Sequence, residues 1–330
     1  MKNVIAYGVM AIVLFLIGIF LGRSCEDESG NYHRTQILLG TVVDIQVRET
    51  DEKKANDAIT KAFTEIMRID DLFTTYNEDS PVRQFNHSND SIISVDEELY
   101  SLMVLCDSVW KMSDGCFDVA LEPLIQFWGF DSKSPVVPNE LEIKSALLES
   151  NWNKIKLVND GNVFRSAKTG LNFGAIAKGY AVDKAVDVLQ NSGIQSALVN
   201  AGGEIKTIGN DWVVGVQHPR NVNEIIRRIK LNGMSAATSG DYENYFKKDN
   251  VRYHHILDPK TGYPSKGLQS VTVIHKDNAF ADGLATAVFV MGKEKGLKLI
   301  EKLNDTEVMI IDENGEIFYS SGFEKFLIND

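Results

Sequence analysis

Three kinds of hydrophobic pattern follow one another along the chain. The first is an unbroken apolar run over residues 4–22, without a charge and flanked by Lys2 and Arg23. At about 1.5 Å rise per residue, such a run in helical form spans a bilayer core of roughly 30 Å. The second is helical spacing. Ala55, Ile59, Ala62, Phe63 and Ile66 predict one amphipathic helix, and Leu99, Leu102, Met103, Cys106, Val109 and Trp110 predict another, with Cys106 on its core-facing stripe. The third is short, β-branched and bounded by turn residues. Residues 36–48 read as a strand, or two broken at Gly40, and 154–158 with 163–166 as a hairpin over Asn159-Asp160-Gly161-Asn162.

The same reading places a helix over 175–191 and strands near 197–200, 205–208, 212–216, 225–231 and 270–275. Helices follow over 281–291 and 293–303, and 307–311 pairs with 317–320 across Glu313-Asn314-Gly315. Such a mixture predicts an α+β fold of mixed, largely antiparallel sheets packed with helices, preceded by one N-terminal apolar membrane segment. The expected organisation is a membrane anchor or lipoprotein signal over 1–24, a polar linker over 25–34 and one domain over 35–330.

Cys25 gives the N-terminal segment two readings. The helix is retained as an anchor, or the chain is cut before Cys25 and lipid is attached there. Ser24 is small, as that cleavage requires, whereas Gly22 and Arg23 depart from the usual signal. Both readings give one topology. Lys2 stays inside while Glu26, Asp27 and Glu28 follow the span, so the bulk of the chain works outside the cytoplasm.

Charge narrows the function. Asp plus Glu number 46 against 34 for Lys plus Arg, and a net charge of −12 argues against a protein that holds nucleic acid by its phosphates. Cys25, Cys106 and Cys116 are too scattered for a disulfide framework or a thiolate zinc site.

Three segments carry candidate chemistry. Asn172-Phe173-Gly174-Ala175-Ile176-Ala177-Lys178-Gly179-Tyr180 puts small residues where a strand hands over to a helix. Backbone can approach a ligand there and a helix N-terminus can face an anion, with Lys178 adding charge; a turn packed for its own sake has the same spacing. Ala201-Gly202-Gly203 offers a second close backbone or a plain turn. Asp282 and Thr286, four apart on one helical face, supply hard oxygen ligands suited to magnesium, or else cap a helix. Residues 253–264, YHHILDPKTGYP, form a turn-rich loop beside two histidines whose side chains diverge if the segment is extended, so one of them at most serves a site. His33, His87, His218 and His275 have no comparable setting and read as structural.

Taken in order, Leu39-Gly40-Thr41, DSPVRQFN (79–86), SDGCFDVALEPL (113–124), FWGF (127–130), GAIAKGYAVD (174–183), NAGGE (200–204), ATSGDY (237–242), HILDP (255–259) and ADGLATA (281–287) are similar to the FAD:protein FMN transferase family, the ApbE type, whose fold is T-fold-related. The resemblance covers nearly all of the chain beyond the apolar run. It implies that Mg2+-bound FAD is split at its pyrophosphate, that FMN is esterified to a Thr or Ser hydroxyl of an acceptor flavoprotein, and that AMP leaves. It also implies metal ligation by Asp282, Thr286 and the main-chain carbonyl of Ala175. FAD contacts fall at Leu39, Tyr76, Cys116, Phe117, Asp118, Asn172, Lys178 and Ile256. Of these, Tyr76 and Phe117 offer aromatic area, Asp118 accepts hydrogen bonds from a sugar or base, and Lys178 neutralises phosphate. His255 matches the family's functional histidine and takes the proton of the incoming hydroxyl. The implied setting is a bacterial inner membrane, with the catalytic domain facing the periplasm or cell exterior.

Three positions depart from the family. Leu39 stands where Met is usual, a volume-conserving change. Asn172 stands where Asp is usual, losing a charge but keeping hydrogen-bonding capacity. Cys116 stands where Ala is common. Two rival functions share the same residues: a Mg2+-dependent FAD pyrophosphatase releasing FMN and AMP, and a flavin-binding lipoprotein without chemistry. Neither needs nucleic acid.

Overall fold

The computed structural model describes residues 30–328 except 131, 159–160 and 167. The apolar run and Cys25 lie outside the described residues. Within them, no helix is long and apolar enough to cross a membrane.

The described residues open with a hairpin, β1 (Gly30–Leu38) and β2 (Thr41–Glu49), whose register Leu38↔Thr41 leaves Leu39 and Gly40 as a two-residue turn. Residues 30–34, expected as linker, are therefore sheet. Tyr32 packs on the core and the Arg34 guanidinium donates to Thr60 and Asn56, which anchors the segment. Next come α1 (Glu52–Phe73), α2 (Pro81–His87), β3 (Ile92–Ser94), α3 (Glu97–Met112), α4 (Glu122–Trp128) and α5 (Glu140–Glu149). β4 (Ile155–Val158) and β5 (Asn162–Arg165) pair as expected, with β3 added on the far edge of β5. They are followed by α6 (Ala177–Asn191), β6 (Ala197–Ala201), β7 (Glu204–Ile208), β8 (Trp212–His218), β9 (Asn221–Leu231) and β10 (Ser235–Gly240). The chain continues through β11 (Tyr245–Lys248), β12 (Val251–His254), β13 (Leu268–His275), α7 (Asn278–Met291), α8 (Lys293–Ile300), β14 (Glu307–Asp312) and β15 (Ile317–Tyr319).

An 8-stranded sheet in the order β1-β2-β6-β7-β10-β13-β14-β15 is the centre of the molecule, and every neighbouring pair in it is antiparallel. Alternation along its strands builds two cores. Val43, Ile45, Val199, Val271, Val273, Val308 and Ile310 face a layer of α1, α3, α6 and α7. Leu198, Ala236, Ile274, Met309 and Ile311 face the β8–β9 hairpin through Trp212, Val214, Val216 and Ile229. A third cluster, Leu121, Leu124, Trp128, Phe130, Ile143, Ala146 and Leu257, seats the β11–β12 hairpin, whose Tyr253 and Phe246 lie within 5.7 and 6.4 Å of the Trp128 ring.

Helix starts show how the layers are tied together. Asp51 and Asp96 cap α1 and α3 locally, accepting from Lys54 and Leu99 N–H. Helix α7 has no such local cap. Its Asn278 and Ala279 N–H groups donate to the Asp183 carboxylate of α6, at 3.0 and 2.8 Å, and Lys206 pairs with the same carboxylate at 2.6 Å. For this reason α7 begins at Asn278 rather than Ala281. The two helices cross at Gly179, where a Cβ would stand 2.5 Å from the Asn278 carbonyl oxygen and 2.8 Å from Asp282 Cβ.

Gly179→Ala should therefore force α6 and α7 apart. We expect a loss of about 1–3 kcal/mol of stability, as for an overpacked core position, seen as a lowered midpoint in chemical denaturation.

Candidate functional site

One cavity of about 980 Å³ runs from the helix layer, past the ends of β6, β7 and β10, to the β8–β9 hairpin. Leu39, Tyr76, Cys116, Asp118, Asn172, Ala175, Lys178, His255, Ile256, Asp282 and Thr286 all line it. Phe117 does not. Its side chain is fully buried in the helix-layer core and its N–H donates to Ser113 Oγ, so its aromatic area supports the wall from behind.

The floor is the α6–α7 crossing. Asp282 is buried, and its Oδ2 accepts the Gly179 N–H at 2.9 Å. One helical turn on, Thr286 Oγ1 lies 3.1 Å from Ser239 Oγ on β10, so both oxygens expected on one face do present to the same space. The Ala175 peptide sits in the turn before α6. Lys178, on the first turn, is not directed at open space: its Nζ pairs with Glu204 Oε1 at 2.6 Å. Burial lowers the Lys178 affinity for its proton, but the carboxylates of Glu204, Glu243 and Asp282 outweigh it and hold the ammonium above its ordinary range. Burial in turn raises Glu204 well above the usual carboxylate range, Lys178 opposing and Asp282 and Glu243 adding. Burial likewise raises Asp282, against the pull of Lys178 and of the Gly179 N–H. Glu243 is exposed to the cavity, and the protein packed around it raises its carboxyl, with Lys178 opposing.

Three carboxylates thus face one ammonium, and Glu204 Oε2 is buried without a hydrogen-bond partner. Glu204 and Glu243 received no role from the sequence. A glutamate directly after Gly202-Gly203, opening a strand, is the signal that could have marked Glu204. Among the described residues, no three His, Cys, Asp or Glu side chains converge on one point. The donors at hand are a carboxylate, a hydroxyl and a peptide oxygen, a set that suits a hard cation keeping several waters or substrate oxygens.

The rim of the cavity is built from tight turns. Leu39 adopts φ 53°, a left-handed conformation costly for a branched residue, and its N–H donates to Asp70 Oδ2 at 2.9 Å. Gly202, φ 67°, closes the β6–β7 turn against Thr41, which a Cβ there would strike. Tyr76 is 71% exposed at the mouth. Asp118 is more committed than its sequence role implied. Its two oxygens accept from Ala120 N–H at 2.7 Å and Trp152 N–H at 2.9 Å, and burial pushes its pKa up to about 6 against those bonds. Cys116 is half-buried, and burial raises its thiol, which argues against an activated nucleophile.

The two histidines diverge as expected. His254 is buried, with Nε2 at 2.9 Å from the Ser265 carbonyl and its ring edge-on to Phe289. His255 faces the cavity. Its N–H donates to the Asn244 carbonyl at 3.0 Å and its Nδ1 lies 3.2 Å from the same oxygen. With the proton on Nδ1, that contact is a hydrogen bond and Nε2 becomes the acceptor of the ring. The loop beyond is rigid: Asp258 accepts from Lys260, Thr261 and Gly262 N–H groups, and Trp128 Nε1 donates to the Gly262 carbonyl at 2.9 Å. His218 and His275 each accept a backbone N–H in a surface turn, in keeping with structural roles.

Two stability effects should follow. Lys178→Met leaves Glu204 buried with neither oxygen paired and should cost about 3–5 kcal/mol, whereas Asp118→Ala strands two backbone donors and should cost about 2–4 kcal/mol. Urea denaturation of the unliganded protein measures both, and midpoints unchanged from the parent would contradict these assignments.

Residues 39–310 match the family model described as the ApbE family. The chain is 32% identical over 295 residues to an FAD:protein FMN transferase of Klebsiella pneumoniae, covering 88% of this chain and 92% of that protein. It is 31% identical to an FAD:protein FMN transferase of Vibrio cholerae, covering 94% and 97%. Among solved structures, the ApbE protein of Thermotoga maritima superposes with a TM-score of 0.85 at 34% identity, covering 91% of this chain and 100% of that one. The flavin transferase ApbE of Vibrio cholerae superposes with a TM-score of 0.81 at 29% identity, covering 91% and 100%. The antiparallel α+β architecture, the cavity at the α6–α7 crossing and these likenesses together show that the chain belongs to the ApbE family.

Proposed function

We propose that this protein transfers FMN from FAD to a Thr or Ser hydroxyl of an acceptor flavoprotein and releases AMP, with Mg2+ as cofactor. The observation that carries the reading is the surplus of carboxylate at the floor of a cavity with room for a dinucleotide. Asp282, Glu204 and Glu243 crowd the floor with Lys178 alone to offset them, which disfavours a bare diphosphate; a divalent cation on the same floor would reverse that balance. Asp282, Thr286 and the Ala175 carbonyl would hold it, and when bound it withdraws charge from the diphosphate oxygens.

The remaining work falls to the chain. Leu39 and Ile256 give apolar surface to a flat ring and Tyr76 aromatic area at the mouth, where an acceptor protein arrives. Asn172 and the peptides of 174–175 bring backbone close to the phosphates, and Lys178, fixed by Glu204, sets the position of its charge. His255 Nε2 takes the proton of the incoming hydroxyl as its oxygen bonds to the FMN phosphorus. The bond from that phosphorus to the bridging oxygen breaks, and AMP departs as a phosphate monoester. Hydrolysis to FMN and AMP is the same displacement with water as nucleophile.

The domain assignment, 1–24 as anchor or signal and the remainder facing the periplasm or cell exterior, belongs to the same proposal. It rests on the apolar run of residues 4–22 and the acidic residues after it. Intact mass of the membrane-extracted protein separates a retained helix from a chain that starts at lipidated Cys25.

Incubation of the full chain with FAD, MgCl2 and a flavoprotein domain bearing a Thr/Ser acceptor should add the mass of one FMN ester to the acceptor. Asp282→Ala or excess EDTA should abolish that gain. AMP formed without modified acceptor would make the protein a hydrolase, and FAD binding that survives Asp282→Ala with no turnover in the parent would make it a carrier. His255→Ala should lower kcat by about 10²–10⁴-fold with FAD affinity little changed, as read by flavin fluorescence.

A further inference from the structure

The segment that leads into α6, residues 170–176, has neither helix nor strand geometry, yet it carries Asn172 and Ala175 to the cavity wall. Irregular backbone holds a fixed shape only if other groups take its hydrogen bonds, and here two helices supply them. From α2, Asn86 brackets Leu171: Oδ1 accepts its N–H at 2.6 Å and Nδ2 donates to its carbonyl at 2.8 Å. The Asn172 N–H donates to the Val119 carbonyl at 2.8 Å. From α4, Glu122 receives the side chain: Asn172 Nδ2 donates to Glu122 Oε2 at 2.8 Å, while Gln126 Nε2 donates to Oε1 at 3.0 Å. That bond fixes which way the Asn172 amide faces. Its oxygen is left to accept the Gly174 N–H at 2.9 Å, which closes the turn presenting the Ala175 peptide.

Glu122 is only 8% exposed, a carboxylate inside the protein whose place is justified by the donors it meets. From this geometry we propose that Glu122 is the positioning residue of the phosphate-facing turn, acting through the Asn172 amide, and that position 172 must be a donor because Glu122 lies behind it. An aspartate at 172 would set two carboxylates at hydrogen-bond distance with no proton donor between them. A glutamine at 122 would remove the conflict, since its amide can donate to an aspartate and can equally accept from an asparagine. The inference rests on the flavin-transfer reading for its binding measurement, and on the side-chain pair alone for its stability measurement.

The test is a reciprocal exchange in the full chain, purified in detergent. FAD affinity in MgCl2 is read by flavin fluorescence and the melting temperature is read alongside. Asn172→Asp should weaken FAD binding by about tenfold or more and lower the melting temperature. Glu122→Gln should stay within about threefold of the parent, and the double variant should return to that range. Asn172→Asp binding FAD like the parent would overturn the proposal, as would a double variant no better than Asn172→Asp. A melting temperature that moves while FAD affinity does not would reduce the pair to a purely structural one and also overturn it. If Asn172→Asp does not fold, a folded, FAD-binding double variant supports the proposal and an unfolded one refutes it. Should the parent itself bind no FAD, the flavin reading fails separately, and loss and recovery of melting temperature across the set decides the pairing.

Discussion

The contact on which this structure depends is the meeting of α6 and α7 at Gly179. A residue without a side chain lets the helices approach until a backbone N–H of one reaches the Asp282 carboxylate of the other. Everything at the cavity floor inherits its position from that contact. It sets how far the Ala175 peptide stands from Asp282 and Thr286, and it brings Lys178 beside Glu204. A side chain at 179 would disturb a group of polar atoms as well as a packing interface.

That polar group is unbalanced. Protein interiors seldom hold a carboxylate oxygen without a partner, and here Glu204 Oε2 lacks one while Asp282 and Glu243 stand close enough to raise its proton affinity. An arrangement that costs stability in the unliganded chain is economical if a cation and an anionic substrate arrive together, since each compensates the other's charge. The same logic explains why Lys178 is tethered. A free lysine would follow the phosphates about, whereas one fixed by Glu204 offers its charge at a single place.

Much of this was legible in the residues. The apolar alternation of 42–47 and 271–274 and the helical stripes of α1 and α3 are strong periodic signals, and they marked those elements, although α1 runs on to Phe73, well past the stripe that ends at Ile66. Strand β10 was not legible. Its Ser235-Ala236-Ala237-Thr238-Ser239-Gly240 has little strand preference of its own, and small residues are needed there because α7 packs closely across it. Helix α5 carried a local mark that went unread, the capping box of Asn139 with Glu142. At the site, the shared cavity face of Asp282 and Thr286 could be placed from helical spacing. The supports could not. Asp70 beneath Leu39 and Glu122 behind Asn172 act across 31 and 50 residues of sequence, and nothing local distinguishes them from ordinary surface acids.

The absent local cap of α7 has a consequence for how the molecule comes into being. Because Asp183 supplies the acceptor for Asn278 and Ala279 from 95 and 96 positions earlier in the chain, the first two N–H groups of α7 have no side-chain acceptor until the preceding helix is in place. Closing so long a loop is slow compared with forming either helix alone. The two halves of the cavity floor, one on α6 and one on α7, are therefore joined only through long-range contacts. A partly unfolded chain lacks this floor, so the acidic end of the cavity exists only once segments about 95 residues apart have met.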